Sequence, residues 1–314
     1  IKGREGSMRI GLTGAGSTAD RLVEQARRAE ADGFTSMWYP SAAGGGDPLS
    51  AMTLAGRATS AIELGTAVLV SYACHPVFQA SRANALVSAI GTPGRFTLGI
   101  GPSHQVVIAG RLGLPYDAPG EHTDEYVQIL EGLLRGEQVS FAGRQFRVEA
   151  GPLPLLDGAA IPVLVGALGP RLLRVAGSHA AGTILWMANA TAIEQHVAPL
   201  IRKAAADAGR PAPRIVAGLP VAVHDDVAEA RSVAARQFVA YGHLPNYQRI
   251  LSHGRITGPA EAAIVGDEDS VTRQVLALFE AGATDVWAAP FPVGDDASAS
   301  RARTRALLAG LARS

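Results

Sequence analysis

The strongest chemical signal in the sequence is an imidazole set two residues past a Gly-Pro turn. In Arg95–Gln105 (RFTLGIGPSHQ), the apolar run Phe96–Ile100 reads as a buried strand. It stops at Gly101-Pro102 and then presents Ser103 and His104. Glycines at a strand end let the backbone approach a flat ligand with no Cβ in between. A titratable ring just past a strand end is where an α/β barrel keeps its chemistry, and a reference pKa of about 6.5 suits His104 to give or take a proton. The competing reading is a plain turn with a solvated histidine.

A second motif is Gly166-Ala167-Leu168-Gly169-Pro170-Arg171, which follows another apolar run. Pro170 fits the first position of a helix, so the unpaired N–H groups and the helix dipole predict an anion site suited to a phosphate, with Arg171 adding charge. An ordinary strand-to-helix turn would look much the same. Leu64-Gly65-Thr66-Ala67-Val68 reads as a third buried strand. It runs on to Tyr72, Cys74 and His75-Pro76, where His75 is expected to cap a helix. Cys74 has no neighbouring base and reads as structural. Gly14-Ala15-Gly16-Ser17-Thr18-Ala19 fits a dinucleotide fingerprint, but the next strand ends Trp38-Tyr39-Pro40-Ser41 without the carboxylate that would hold a ribose. The eight histidines are scattered and lack metal-ligand spacing, so no metal is expected.

These residues need a scaffold, and the chain supplies one by alternation. Strands are expected at Met8–Leu12, Thr35–Tyr39, Ile62–Val70, Phe96–Ile100, Ile161–Val165, Thr183–Met187, Ile215–Val223 and Asp285–Ala289, with helical periodicity between them. Ala31–Pro40 and Glu280–Pro290 repeat one pattern of helix, Gly cap, Trp-bearing strand and proline stop. Continuous apolar strands alternating with helices predict a parallel sheet covered on both faces, and eight of them predict closure into a (β/α)8 barrel. The stretch at about 102–160 is too long for a simple connection. It contains a helix at His122–Leu134 and a hairpin, Val139–Phe141 with Gln145–Val148, and reads as an insertion over the mouth. Tyr241–Gly266, which holds Tyr247 and His253, is a second candidate lid.

Composition bounds the function classes. Lys plus Arg equals Asp plus Glu at 28 each, and no basic stripe is visible, so nucleic acid and anionic membranes are poor partners. One cysteine rules out an internal disulfide, and no apolar run reaches the length of a membrane span. A cytoplasmic protein is expected. Residues 1–7 precede Met8 and read as an added tail, with residues 8–314 as a single barrel domain.

From Met8 onward the chain resembles the luciferase-like flavin and deazaflavin oxidoreductases, and it is most similar to the branch that uses coenzyme F420. The matching motifs are Leu64–Val68, Arg95–His104, Gly166–Arg171 and Gly282-Ala283-Thr284-Asp285. The resemblance implies a barrel with a tricyclic cofactor at its C-terminal mouth, and a non-prolyl cis peptide at Ala67–Val68 behind the ring. It implies a phosphate loop at Gly166, Ala167, Leu168, Gly169, Pro170 and Arg171. Further cofactor contacts are expected from Gly11, Ser41, Ala67, Val68, Gly101 and Ser103. Many F420-dependent relatives carry an Asp-His pair where this chain has Ser41-Ala42. With that position empty, His104 becomes the acid/base candidate, and Tyr72, His75 and Tyr116 are candidates for the substrate pocket. The expected activity is an F420-dependent reductase delivering hydride to a C=C or C=N bond of a small molecule or peptide, in a homodimer. An FMN-dependent monooxygenase and a non-catalytic cofactor-binding protein are the alternatives.

Overall fold

The computed structural model describes residues 8–16, 18–41, 46–154 and 160–314. Strands β1 (Ile10–Thr13), β2 (Ser36–Tyr39), β3 (Glu63–Thr66), β4 (Phe96–Gly101), β5 (Val163–Val165), β6 (Gly182–Trp186), β7 (Arg214–Val223) and β8 (Asp285–Pro290) run parallel. Each pairs with the next, and β8 returns to β1, so the sheet closes. The expected eight-strand barrel is therefore the observed one. Barrel helices are α1 (Ala19–Ala31), α2 (Pro48–Arg57), α3 (Pro76–Ile90), α4 (Pro119–Leu134), α5 (Pro170–His179), α6 (Ala198–Asp207), α7 (Glu268–Glu280) and α8 (Ala297–Arg313).

Local sequence explains the helix starts. Asp47 and Asp267 cap α2 and α7 by accepting from Ser50 N at 3.0 Å and Ser270 N at 2.8 Å. Proline opens α2, α3, α4 and α5, where a missing N–H costs nothing. The repeated helix–Gly–strand units leave their helices through Gly33 (φ 88°) and Gly282 (φ 114°), a backbone region that strongly favours glycine.

Two expectations need correction. The strand expected over Ile62–Val70 is two pieces, because the Ala67–Val68 peptide is cis and separates β3 from the short strand Leu69–Val70. The hairpin pairs Val139–Ala142 with Arg147–Ala150, later than expected. The reason is the buried Glu125 carboxylate on α4, which accepts from the N–H groups of Arg144, Gln145 and Phe146, each at 2.9 Å, and so commits those residues to the turn. The connection after β4 also holds less extra matter than expected, since α4 is the barrel's own fourth helix, packed between α3 and α5.

Strand alternation sorts the side chains. Ile10, Met37, Leu64, Leu98, Val163, Leu185, Ile215 and Val286 face the helices in one continuous core. The inward positions form two layers. At the N-terminal end, Arg214 donates to Glu63 Oε1 at 2.8 Å and to Asp285 Oδ1 at 2.6 Å, while Arg9 pairs with both carboxylates. Above this ionic layer lie Trp38, Leu164, Ile184, Val216 and Trp287. The indoles fit because their inward neighbours are glycine: a Cβ at Gly65 would enter the Trp38 ring, and one at Gly218 would enter Trp287.

Burial alone would raise the Asp285 carboxyl, but Arg214, Arg9 and Thr284 outweigh it and hold the group below its ordinary value. A carboxyl lowered by folding contributes stability above its unfolded pKa of about 3.9, and that stability is lost as pH falls through the lower folded value. Arg214→Ala leaves two buried carboxylates with only Arg9. It is expected to cost about 3–5 kcal/mol at pH 7, read as a lower urea midpoint. Without Arg214 the Asp285 carboxyl is held down less, so the deficit should shrink as pH falls from 7 to 4.5.

Candidate active site

A cavity of about 380 Å³ opens at the C-terminal end of the strands, above the tryptophan layer. One wall is nearly bare backbone: Ala67 and Val68 at the cis peptide, Gly101 ending β4, and Gly166 following β5. A Cβ at Gly101 would lie 2.9 Å from Val68 Cγ2, so this glycine makes room for the Val68 side chain, while one at Gly166 would meet Val68 Cγ1 at an ordinary 3.4 Å. Deeper in, Trp186 and Trp287 stack with ring centres 5.1 Å apart, and both rings line the cavity.

Beside that wall, Gly169 precedes α5 without any capping side chain, Pro170 takes the first helical position, and Arg171 stands exposed at the rim. N–H groups left without a side-chain cap at a helix start can receive an anion, and the loop before this one is pinned. His196 Nε2 lies 2.9 Å from the Leu168 carbonyl, which can only accept, so the proton sits on Nε2. His253 stacks on His196 with ring centres 3.7 Å apart and itself lines the cavity. Burial, with His253 adding to it against the carbonyl contact, holds His196 below the ordinary imidazole range.

Ser103 and His104 stand between the glycine wall and the segment 241–253. Ser103 is in the left-handed region (φ 61°), and its carbonyl accepts from Tyr116 Oη at 2.8 Å, which aims His104 across the cavity. The His104 ring lies 5.7 Å from that of Tyr247 and makes no capping bond to the short helix Gln105–Ile108. Burial lowers its pKa below the ordinary value.

The structure thus gathers Ala67, Val68, Gly101, Ser103, His104, Tyr116, Gly166, Leu168, Gly169, Pro170 and Arg171 around one space. It leaves other expected residues outside. Gly11 packs against Ser36 on β2, so its missing side chain serves strand packing. Ala167 is fully buried, with its carbonyl 3.4 Å from the Thr183 hydroxyl. Ser41 is not in the cavity wall, and Ala42 lies outside the described residues. Tyr72 stacks on His122 at 3.7 Å, and His75 caps α3 by accepting from Val77 N at 3.4 Å, so neither reaches the cavity. Trp186, Trp287, Asn246 and Arg249 line it without having been singled out as site residues. The Trp-bearing repeat was the available signal for Trp287.

Among the described residues the cavity wall contains no Asp or Glu. Its donors and titratable groups are imidazoles, phenols, indoles and guanidinium groups, with His104 the group beside the glycine wall.

Comparison with known proteins places this geometry. Residues 7–299 match the model of the luciferase-like monooxygenase family. A 5,10-methylenetetrahydromethanopterin reductase of Methanolobus tindarius is 28% identical over 248 residues, covering 78% of this chain and 74% of that protein. An F420-dependent hydroxymycolic acid dehydrogenase of Mycobacterium tuberculosis is 31% identical over 242 residues, covering 70% of this chain and 64% of that protein. The structure of the coenzyme F420 dependent tetrahydromethanopterin reductase of Methanopyrus kandleri superposes with a TM-score of 0.78 at 22% identity, over 96% of this chain and 97% of that one.

The His104 ring is expected to titrate with a midpoint below about 6.5, measured by NMR of the ring protons with a His104→Gln variant for assignment. A midpoint at or above the ordinary value would show that the ring is solvated.

Proposed function

The chain belongs to the luciferase-like monooxygenase family, and from that membership we propose that it is a coenzyme F420-dependent reductase acting on a C=C or C=N bond of a small molecule or peptide. The observation that carries the reading is the pairing of a flat glycine wall and an anion-binding helix start with a cavity whose described lining has no carboxylate. The fit to a flat, phosphate-bearing cofactor rests on two local features. Gly101 and Gly166 put no side chain of their own into the cavity wall, and the first turn of α5 offers N–H groups without a side-chain cap. When bound, a deazaflavin supplies hydride chemistry without activating oxygen.

The residues of the chain do the rest. Ala67, Val68 and Gly101 would back the ring, while the Leu168–Arg171 loop, pinned by His196, would hold the phosphate. Segment 241–253 closes the outer side with Tyr247 and His253 and limits water. His104 holds the proton that the substrate takes up once it has received two electrons. Many F420-dependent relatives carry an Asp-His pair where this chain has Ser41-Ala42, and that difference motivates reduction over alcohol oxidation. Proton donation requires the charged imidazole, and burial lowers its pKa.

Reduction should therefore slow as pH rises through the lowered His104 pKa, and His104→Gln should flatten that dependence while leaving cofactor affinity unchanged, with a loss of about 10²–10⁴ in kcat. A substrate panel of enones and imines, assayed with reduced F420 across pH, tests this. Unchanged turnover in the variant removes His104 from the mechanism. Parallel titration with F420 and FMN, followed by tryptophan fluorescence, tests the cofactor. Tight FMN binding with oxygen consumption and no F420 binding would instead favour a monooxygenase, the activity in the family's name.

A further inference from the structure

A second cavity, of about 400 Å³, lies between α1 and α8 at the rim of the barrel and shares no lining residue with the first. Its floor is apolar, made by Leu12 and Met37 from the outer faces of β1 and β2 and by Pro290 and Pro292 at the end of β8. Its walls carry Arg21 and Gln25 on α1 and Arg301 and Arg305 on α8. Residues four apart share a helix face, so each helix turns a basic face to the same space.

The two arginines at the rim differ from Arg305. Arg305 Nε donates to Asp32 at 2.5 Å and its guanidinium lies 5.3 Å over the Phe34 ring, neither of which lines the cavity, so its head is already engaged. No carboxylate pairs with Arg21 or Arg301 among the described residues. Gln25 fixes the rim: its side chain donates to the Ala15 carbonyl at 2.5 Å and accepts from Ala15 N at 3.0 Å. Two guanidinium groups without a carboxylate partner, over an apolar floor, match a ligand with a compact anionic head and an apolar body.

We propose that this cavity is a binding site for a small organic acid, its carboxylate held by Arg21 and Arg301 and its apolar body resting on Leu12, Met37 and the two prolines. The site is independent of the cofactor reading, since it shares no residue with the first cavity. Benzoate is the probe, with inorganic phosphate as the comparison, and binding is followed by ligand-observed and ¹⁵N NMR. The measurements use an Arg171→Ala background, which weakens the other anion site. Saturable benzoate binding is expected, weakened roughly tenfold or more by Arg301→Gln and again by Arg21→Gln, as loss of a charge-assisted contact predicts. Both substitutions fall at exposed residues away from the core, and Arg305, which pairs with Asp32, is left intact. Phosphate should bind more weakly because it has no apolar body. The proposal is overturned by benzoate binding that vanishes in the Arg171→Ala background, by binding indifferent to both arginine substitutions, or by phosphate binding as tightly as benzoate.

Discussion

Only every second residue of a strand faces the inside of a closed barrel, and this molecule spends those positions unequally along the axis. At the N-terminal end they are charged and mutually satisfied: Arg9, Glu63, Arg214 and Asp285 tie β1, β3, β7 and β8 together. In the next layer two indoles fill the bore because Gly65 and Gly218 give way to them. Near the mouth the inward positions on β4 and after β5 are glycine, and the bore becomes a cavity. The site depends on this order. A side chain moved by one residue would point toward the helices, and the ionic layer is what pins the strands against such a slip.

Much of the scaffold was legible in the sequence. Strands buried on both faces appear as continuous apolar runs, and glycine with a positive φ marks where helices end, as Gly33 and Gly282 do. The motifs around Gly101 and Gly166 were legible too, because each lies within a few residues of a strand end. What the sequence did not distinguish was the purpose of a missing Cβ. Gly11 and Gly101 look alike in a chain, yet one makes room for Ser36 away from the cavity and the other makes room for Val68 in the cavity wall. Tyr72 and His75 were misplaced for a related reason. They follow β3 closely, but Tyr72 is drawn away by stacking on His122, a residue 50 positions later.

The outer wall of the cavity was the least legible part. Asn246, Tyr247, Arg249 and His253 reach a space whose other walls come from distant parts of the chain, among them Val68, Gly101, Gly166 and Trp186. No local periodicity encodes such a meeting. The stacked pair His196 and His253 shows the same limit: neither histidine has a signal of its own, and the pair acquires meaning only through the Leu168 carbonyl it supports.

Strand β7 is ten residues long, and it changes partner along its length. Its first half pairs with β6 through Gly218, and its last residues pair with the short strand Ile264–Gly266 instead. Beyond Gly218 strand β7 thus leaves β6, and farther along the chain Asn246, Tyr247, Arg249 and His253 line the cavity. The eight-strand hydrogen-bond circuit is complete without them. Closure of the barrel and shape of the outer pocket wall are thus separable properties. One part of the chain can diversify, by substitution or by change of length, while the part that holds the molecule shut stays as it is.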